Sequence, residues 1–250
     1  MRLKSSAAVA ALLPALLLGT AGCGGSDSGA KSGPAGHRPD PKGSAAAPAA
    51  SGAPGAPPAA RTPLERAALV QGDLPGYQIS AQGKNPSAPD GQPQADKKPC
   101  QPLADIMGDE PDPTARETVN RGVGSQKQLG LAVSASISSY SEDDAKRLMG
   151  RLRDAVAACG TGFSATVEKQ TGRYTEVKPA AYEADGDESV SWTTVAAAEG
   201  VSARVHLVVV REGATVVRLM ALNVAGGKSP AEVPHEVTDK QLEKLRANAH

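Results

Sequence analysis

Hydrophobic and polar positions alternate most cleanly over Leu129–Ser139. Leu129, Leu131, Val133, Ala135 and Ile137 fall on one face, and Gly130, Ala132, Ser134, Ser136 and Ser138 on the other. A period of two over that length predicts a strand with one buried face. Its Gly/Ala/Ser face is unusual: such small side chains let a second layer approach closely, and plain exposure to solvent would suit them as well. From Ala145 the period changes. Ala145, Leu148, Met149, Leu152, Val156 and Cys159 recur at helical spacing, Ser141 with Glu142-Asp143-Asp144 opens the helix, and Gly160 stops it.

Strands dominate the chain beyond Gly160. Phe163, Ala165 and Val167 alternate, a weaker run covers 173–178, and Val190, Trp192, Thr194 and Ala196 share a face. Val201–Val210 and Thr215–Val224 are rich in β-branched residues and are joined by Arg211-Glu212-Gly213-Ala214, a hairpin turn. A last amphipathic helix is predicted over 238–247, with Leu242 and Leu245 inward. Upstream, Thr62-Pro63-Leu64-Glu65 has the form of a capping box and opens a short helix ending before Gly72. Asp73–Tyr77 reads as a turn and 81–99 as a polar, proline-rich surface loop. Runs of adjacent strands between helices predict an α+β fold: an antiparallel sheet of five or six strands with helices packed on one face. All of 62–250 forms a single domain in this reading.

The first sixty residues obey other rules. Arg2 and Lys4 precede an apolar stretch, Ala7–Leu18, interrupted only by Pro14, and small residues come next. This is the layout of a secretory signal, about a dozen apolar residues long and so short of a bilayer's ~30 Å core. The sequence Leu18-Gly19-Thr20-Ala21-Gly22-Cys23 then resembles the lipobox of bacterial lipoproteins, except that Thr20 stands where leucine is usual. The resemblance implies cleavage after residue 22 and acylation of Cys23 by chains of the palmitate type. Two such chains hold a protein at a membrane, whereas one does so only marginally. From Gly24 to about Arg61 the chain is almost wholly Gly, Ser, Ala and Pro, a flexible spacer of roughly 35 Å root-mean-square reach. The expected organisation is thus a signal peptide (1–22), a lipid-anchored tether (23–61) and the domain, held on the extracytoplasmic face of the cell membrane.

The chain has three cysteines. With Cys23 lipidated, Cys100 and Cys159 remain as a pair for an oxidising compartment. Buried packing on the helix face is the other role open to Cys159. A cysteine after Pro99, an alternating strand, a helix ending at Cys159 and a late hairpin together resemble the extracytoplasmic sensor-type domains of actinobacterial lipoproteins and receptor kinases. That likeness covers about Pro99–Ala247 and implies a cleft for a ligand. The kinase domains typically carry two disulfides; here only one is possible.

Charge and composition then exclude functions. The formal net charge is zero, no basic block is present and aromatics make up only 2% of residues, so nothing in the chain attracts or stacks on nucleic acid. No metal-ligand or nucleophile spacing appears, and no cofactor is expected. Gly226-Gly227-Lys228-Ser229 lacks the rest of a phosphate loop and reads as a strand-end turn. Asp185-Gly186-Asp187-Glu188 lacks a full calcium loop and reads as an acidic turn in solvent. His206, on a strand face with Ser202, Arg204 and Val208, has the chemistry of a general base but the setting of a half-exposed strand residue. Arg204, Arg211 and Arg218 would receive an anion if they converged, and otherwise form a solvated face paired with Glu199 and Glu212. Trp192 and Tyr174 are expected in the core rather than lining a pocket. His235, in a loop, and the terminal His250 add no chemistry. The expectation is a non-enzymatic domain that binds an envelope ligand or partner protein in sensing or maintenance. The alternative is a lipid or glycolipid carrier with an apolar cavity, and a third class is an envelope enzyme with an unrecognised site.

Overall fold

A computed structural model describes residues 61–248 apart from 89, 110, 199 and 224–230, all within the unit 57–250 of the two into which the chain divides. The signal segment, Cys23, the spacer up to residue 60, Glu199, Gly226–Ser229 and His250 lie outside the described residues. Among the described residues there are four α-helices: α1 (Pro63–Ala67), α2 (Gln101–Met107), α3 (Glu142–Ala158) and α4 (His235–Ala247). The strands are β1 (Tyr77–Gln82), β2 (Gln94–Ala95), β3 (Glu117–Ser125), β4 (Leu131–Ser139), β5 (Phe163–Val167), β6 (Gln170–Pro179), β7 (Glu188–Ala198), β8 (Val201–Glu212) and β9 (Thr215–Asn223).

These nine strands make one sheet in the order β1-β3-β4-β9-β8-β7-β6-β5-β2, antiparallel at every pairing. The fold is therefore mostly β, and the expectation of five or six strands under helices on one face is wrong on both counts. Helices pack on both faces. Leu64 and Ala67 of α1, with Val237, Leu242 and Leu245 of α4, cover one face. Leu103, Ile106 and Met107 of α2, with Leu148, Met149 and Leu152 of α3, cover part of the other.

The central strands show why. In β8, Val208 and Val210 point to the α1/α4 side while Val205, Leu207 and Val209 point to the α2/α3 side. In β9, Val217, Leu219 and Ala221 oppose Val216 and Met220. A continuous apolar run marks a strand buried on both faces, whereas alternation marks one buried face. Three strands fall where no pattern declares them, and short β2 lies wholly within the expected loop 81–99. β1 occupies part of the expected turn and loop, and β3 carries only Val119 and Val123 on its inner face. Arg121 stands between those valines and its Nε donates to the Leu69 carbonyl at 2.8 Å.

Local signals set the helix ends. Thr62 Oγ1 accepts from the Glu65 N–H at 3.1 Å and the Glu65 side chain accepts from the Thr62 N–H at 3.0 Å, a complete capping box. Buried Gln241 receives the chain as it leaves α1: its Nε2 donates to the Ala67 carbonyl at 2.8 Å and its Oε1 accepts from the Leu69 N–H. Ser141 caps α3 by accepting from the Asp144 N–H at 3.1 Å. After α3 it is Gly162, at φ +82°, that turns the chain; a Cβ there would lie 2.4 Å from the Tyr174 carbonyl oxygen. Cys100, immediately before α2, and Cys159, at the end of α3, form a disulfide with a Cα–Cα distance of 5.9 Å.

Candidate functional site

On the α2/α3 side the helices stop short of one end of the sheet. The uncovered end forms a cavity of about 970 Å³ that opens to solvent. Reading across the strands gives its floor: Gln78 and Ser80 from β1, Gly122 and Gly124 from β3, Ala132 and Ser134 from β4, Met220 and Leu222 from β9, Ala203 and Val205 from β8. Ala196 and Tyr174 close the far flank, and Pro86, Ser87 and Met107 form a wall above. Tyr174 stacks on Phe163 with centroids 4.9 Å apart, and burial pushes its phenol pKa up. A Cβ on Gly124 would meet nothing within 4 Å, because that position faces the open cavity.

The wall is held down by the small face of β4. Its serines are buried, and each has a hydrogen-bond partner. Ser134 donates to Asn85 Oδ1, Ser136 donates to Asn120 Oδ1 at 2.6 Å, and Ser138 shares a hydroxyl contact of 2.9 Å with Thr118. Asn85, 1% exposed, also accepts from the Ser87 N–H at 3.1 Å and donates to the Met107 carbonyl at 3.2 Å. One amide thus ties the loop after β1 to β4 and to the end of α2. Small side chains do admit a second layer here, and the layer is polar where it touches them.

Arg218 reinforces the same corner. It is 5% exposed, and its guanidinium donates to the carbonyls of Ile106 (2.7 Å) and Gly108 (3.0 Å) and to Ser136 Oγ. Its Nε has no partner among the described residues, and burial pulls its pKa down to about 10. Carbonyls at the end of α2 are natural acceptors for a cation. Arg218 is therefore a buried brace for α2, not part of a solvated face.

The other two arginines do not join it. Arg211, also buried, pairs with Asp187 (2.9 Å) and Glu188 (2.8 Å) rather than with Glu212, and Arg204 is exposed. Arg246 in turn bonds Asp185 and Glu212. The acidic turn 185–188 is accordingly an arginine-paired corner of the fold.

His206 is buried, 3% exposed, on the α1/α4 side, away from the cavity. Its Nδ1 accepts from the Val233 N–H at 3.0 Å, so the ring proton sits on Nε2, 2.8 Å from Ser191 Oγ. Both nitrogens are committed and the ring is structural. Desolvation holds its pKa below the usual 6.5, with nearby His235 lowering it further and Glu232 opposing. A depressed folded-state pKa means the stabilisation is complete above pH 6.5 and is lost as pH falls toward the lower folded value. The melting temperature is expected to drop between pH 7.5 and 5, and His206→Gln should flatten that segment of the Tm–pH curve.

Trp192 lies fully in the core, as expected, while Tyr174 lines the cavity. No sequence pattern announces the cavity itself. Its floor combines residues from strands far apart in the chain, and the only local sign is the small-residue face of β4. Among the described residues the exposed large apolar side chains are Leu129 (83%) in the β3–β4 turn and Val201 (72%) at the start of β8. Pairing of Leu131 with Asn223 and of Leu222 with Val205 sets both at the cavity's end of the sheet. At the other end, Thr62 Oγ1 bonds Glu117, the first residue of β3, so the chain enters roughly 27 Å from the β3 terminus beside the cavity. Among the described residues no helix is long and apolar enough to cross a membrane, and no side-chain cluster is suited to a metal ion.

The site is an open cavity whose described lining offers burial and neutral hydrogen-bonding groups. No protein-family model matches the chain, and no curated protein does. Solved structures similar to it include the extracellular domain of PknH from Mycobacterium tuberculosis, at 11% identity and a TM-score of 0.44 over 70% of this chain and 85% of that one. A putative uncharacterized protein (Rv0999 ortholog) from Mycobacterium smegmatis is similar at 12% identity and a TM-score of 0.39, over 70% of this chain and 90% of that one.

Proposed function

We propose that the chain is an exported lipoprotein, held through acyl chains on Cys23 at the outer face of the cytoplasmic membrane, whose globular domain binds a largely apolar small molecule without transforming it. The cavity carries this reading. About 970 Å³ is at the upper end of small-molecule sites, and the apolar part of its floor is built from Met220, Leu222, Val205, Ala203 and Ala132. Two further observations support it. Apart from Tyr174, stacked on Phe163, the described residues of the lining carry no titratable side chain, so what they offer a ligand is apolar contact and neutral hydrogen bonds. The disulfide suits an oxidising compartment.

Carriage of lipid, rather than sensing of it, is favoured by the open mouth with Leu129 and Val201 exposed at the same end of the sheet. The test is a cavity-filling change where the backbone tolerates it. Gly124 has ordinary strand geometry and open space above it, so Gly124→Phe adds a ring to the cavity without touching the core. Mass spectrometry of organic extracts should find a co-purified apolar molecule with the natural chain and at least a tenfold loss with Gly124→Phe. Equal recovery from both would reject the reading.

A further inference from the structure

Resting on that cavity reading, we infer that the ligand is an uncharged amphiphile: an acyl chain on a neutral polar head, the head against β1 and the chain over β8 and β9. Charge is the first ground. Residues of the chain are 22% charged, yet none of the described residues lining the cavity is Asp, Glu, Lys or Arg. A phosphate or carboxylate seated there would give up water with no cation to receive it, a cost that neutral hydroxyls avoid.

Asymmetry across the sheet is the second ground. On the β1 flank stand Gln78, Ser80 and, beyond β3, Gln126; on the other stand Met220, Leu222, Ala203 and Val205. Gly122 and Gly124 of β3 and the small Ala132 and Ser134 of β4 lie between the flanks: the space over Gly124 is open, whereas the Ser80 and Gln82 side chains lie over Gly122. The Gln78 and Gln126 amides have no side-chain partner among the described residues. Each offers two donors and an acceptor, the complement of a hydroxylated head. The apolar flank runs toward the end where Val201 is exposed, leaving a path for a chain longer than the cavity.

The full chain with Cys23→Ala, which lacks acyl groups of its own, permits the test in aqueous buffer. Displacement of Nile red at pH 7.5 would be compared for monopalmitoylglycerol, palmitate and palmitoyl-lysophosphatidylglycerol, which share a chain and differ in head charge. The glyceride should displace at concentrations at least tenfold lower than either anion. Gln78→Lys, on an exposed strand position, should improve the anions at least fivefold. Anions that compete as well as the glyceride, through sites that Gly124→Phe abolishes, would overturn the uncharged ligand and leave the cavity reading intact. Displacement of every probe unaffected by Gly124→Phe would overturn the cavity reading, and this inference with it.

Discussion

Replacing Cys100 and Cys159 by serine is expected to cost about 4 kcal/mol and to lower the melting temperature by roughly 8–16 °C. The sequence separation of 59 sets the first figure through the entropy that the crosslink removes from the unfolded chain. The native state contributes too. Both cysteines are at most 1% exposed, inside the cluster that joins α2 to α3. Without the link α2 is held by its own apolar face, by Arg218 and by Asn85. Urea unfolding of the natural chain with and without reductant, beside the double serine variant, gives the measurement. The reduced natural chain should match the variant, and both should unfold at clearly lower urea. A midpoint unchanged by reductant would show that α2 and α3 need no crosslink.

Trp192→Ala should be comparably severe, at about 3–5 kcal/mol. Trp192 is 1% exposed, pairs across to Leu207 of β8, and fills the space under α3 with Val190 and Val209. Truncation removes the largest fully buried side chain and leaves a void that the strand pairings on both sides keep from collapsing. Trp192→Phe, which keeps a ring, should cost less than half as much. Circular dichroism in urea reads both variants, since the chain's single tryptophan is itself the residue changed. The loss is not expected to add to that of the disulfide, because both act on one cluster.

Legibility in the sequence tracks the solvent contrast along each element. β4 and α3 are readable to within two residues because each has one wet or polar face and one apolar face. Thr62 and Ser141 are readable as caps because a cap is a local arrangement of a few residues. β8 and β9 are readable as strands, but their unbroken Val/Leu runs also mean burial on both faces, and this is where the one-faced sheet fails. β1 and β3 escape notice because Gln78, Ser80, Gly122 and Gly124 trade strand propensity for room in the cavity. Arg218 looks like a surface charge, since nothing in its neighbours in the chain reveals the carbonyls of α2 that receive it. The site is the least legible part, as its floor exists only once strands distant in sequence are paired.

The position of β9 governs how the domain is assembled. Last in the chain among the strands, it is flanked by β4 and β8 in the middle of the sheet. β5 to β8 can zip up as a meander of near neighbours, and β3 with β4 as a hairpin, but these halves have no common border until β9 is inserted between them. Closure therefore waits on the most distant pairing in the chain, which is slow for entropic reasons. A chain threaded across a membrane from its N-terminus would expose both unfinished borders to proteases and chaperones until its final quarter had come through.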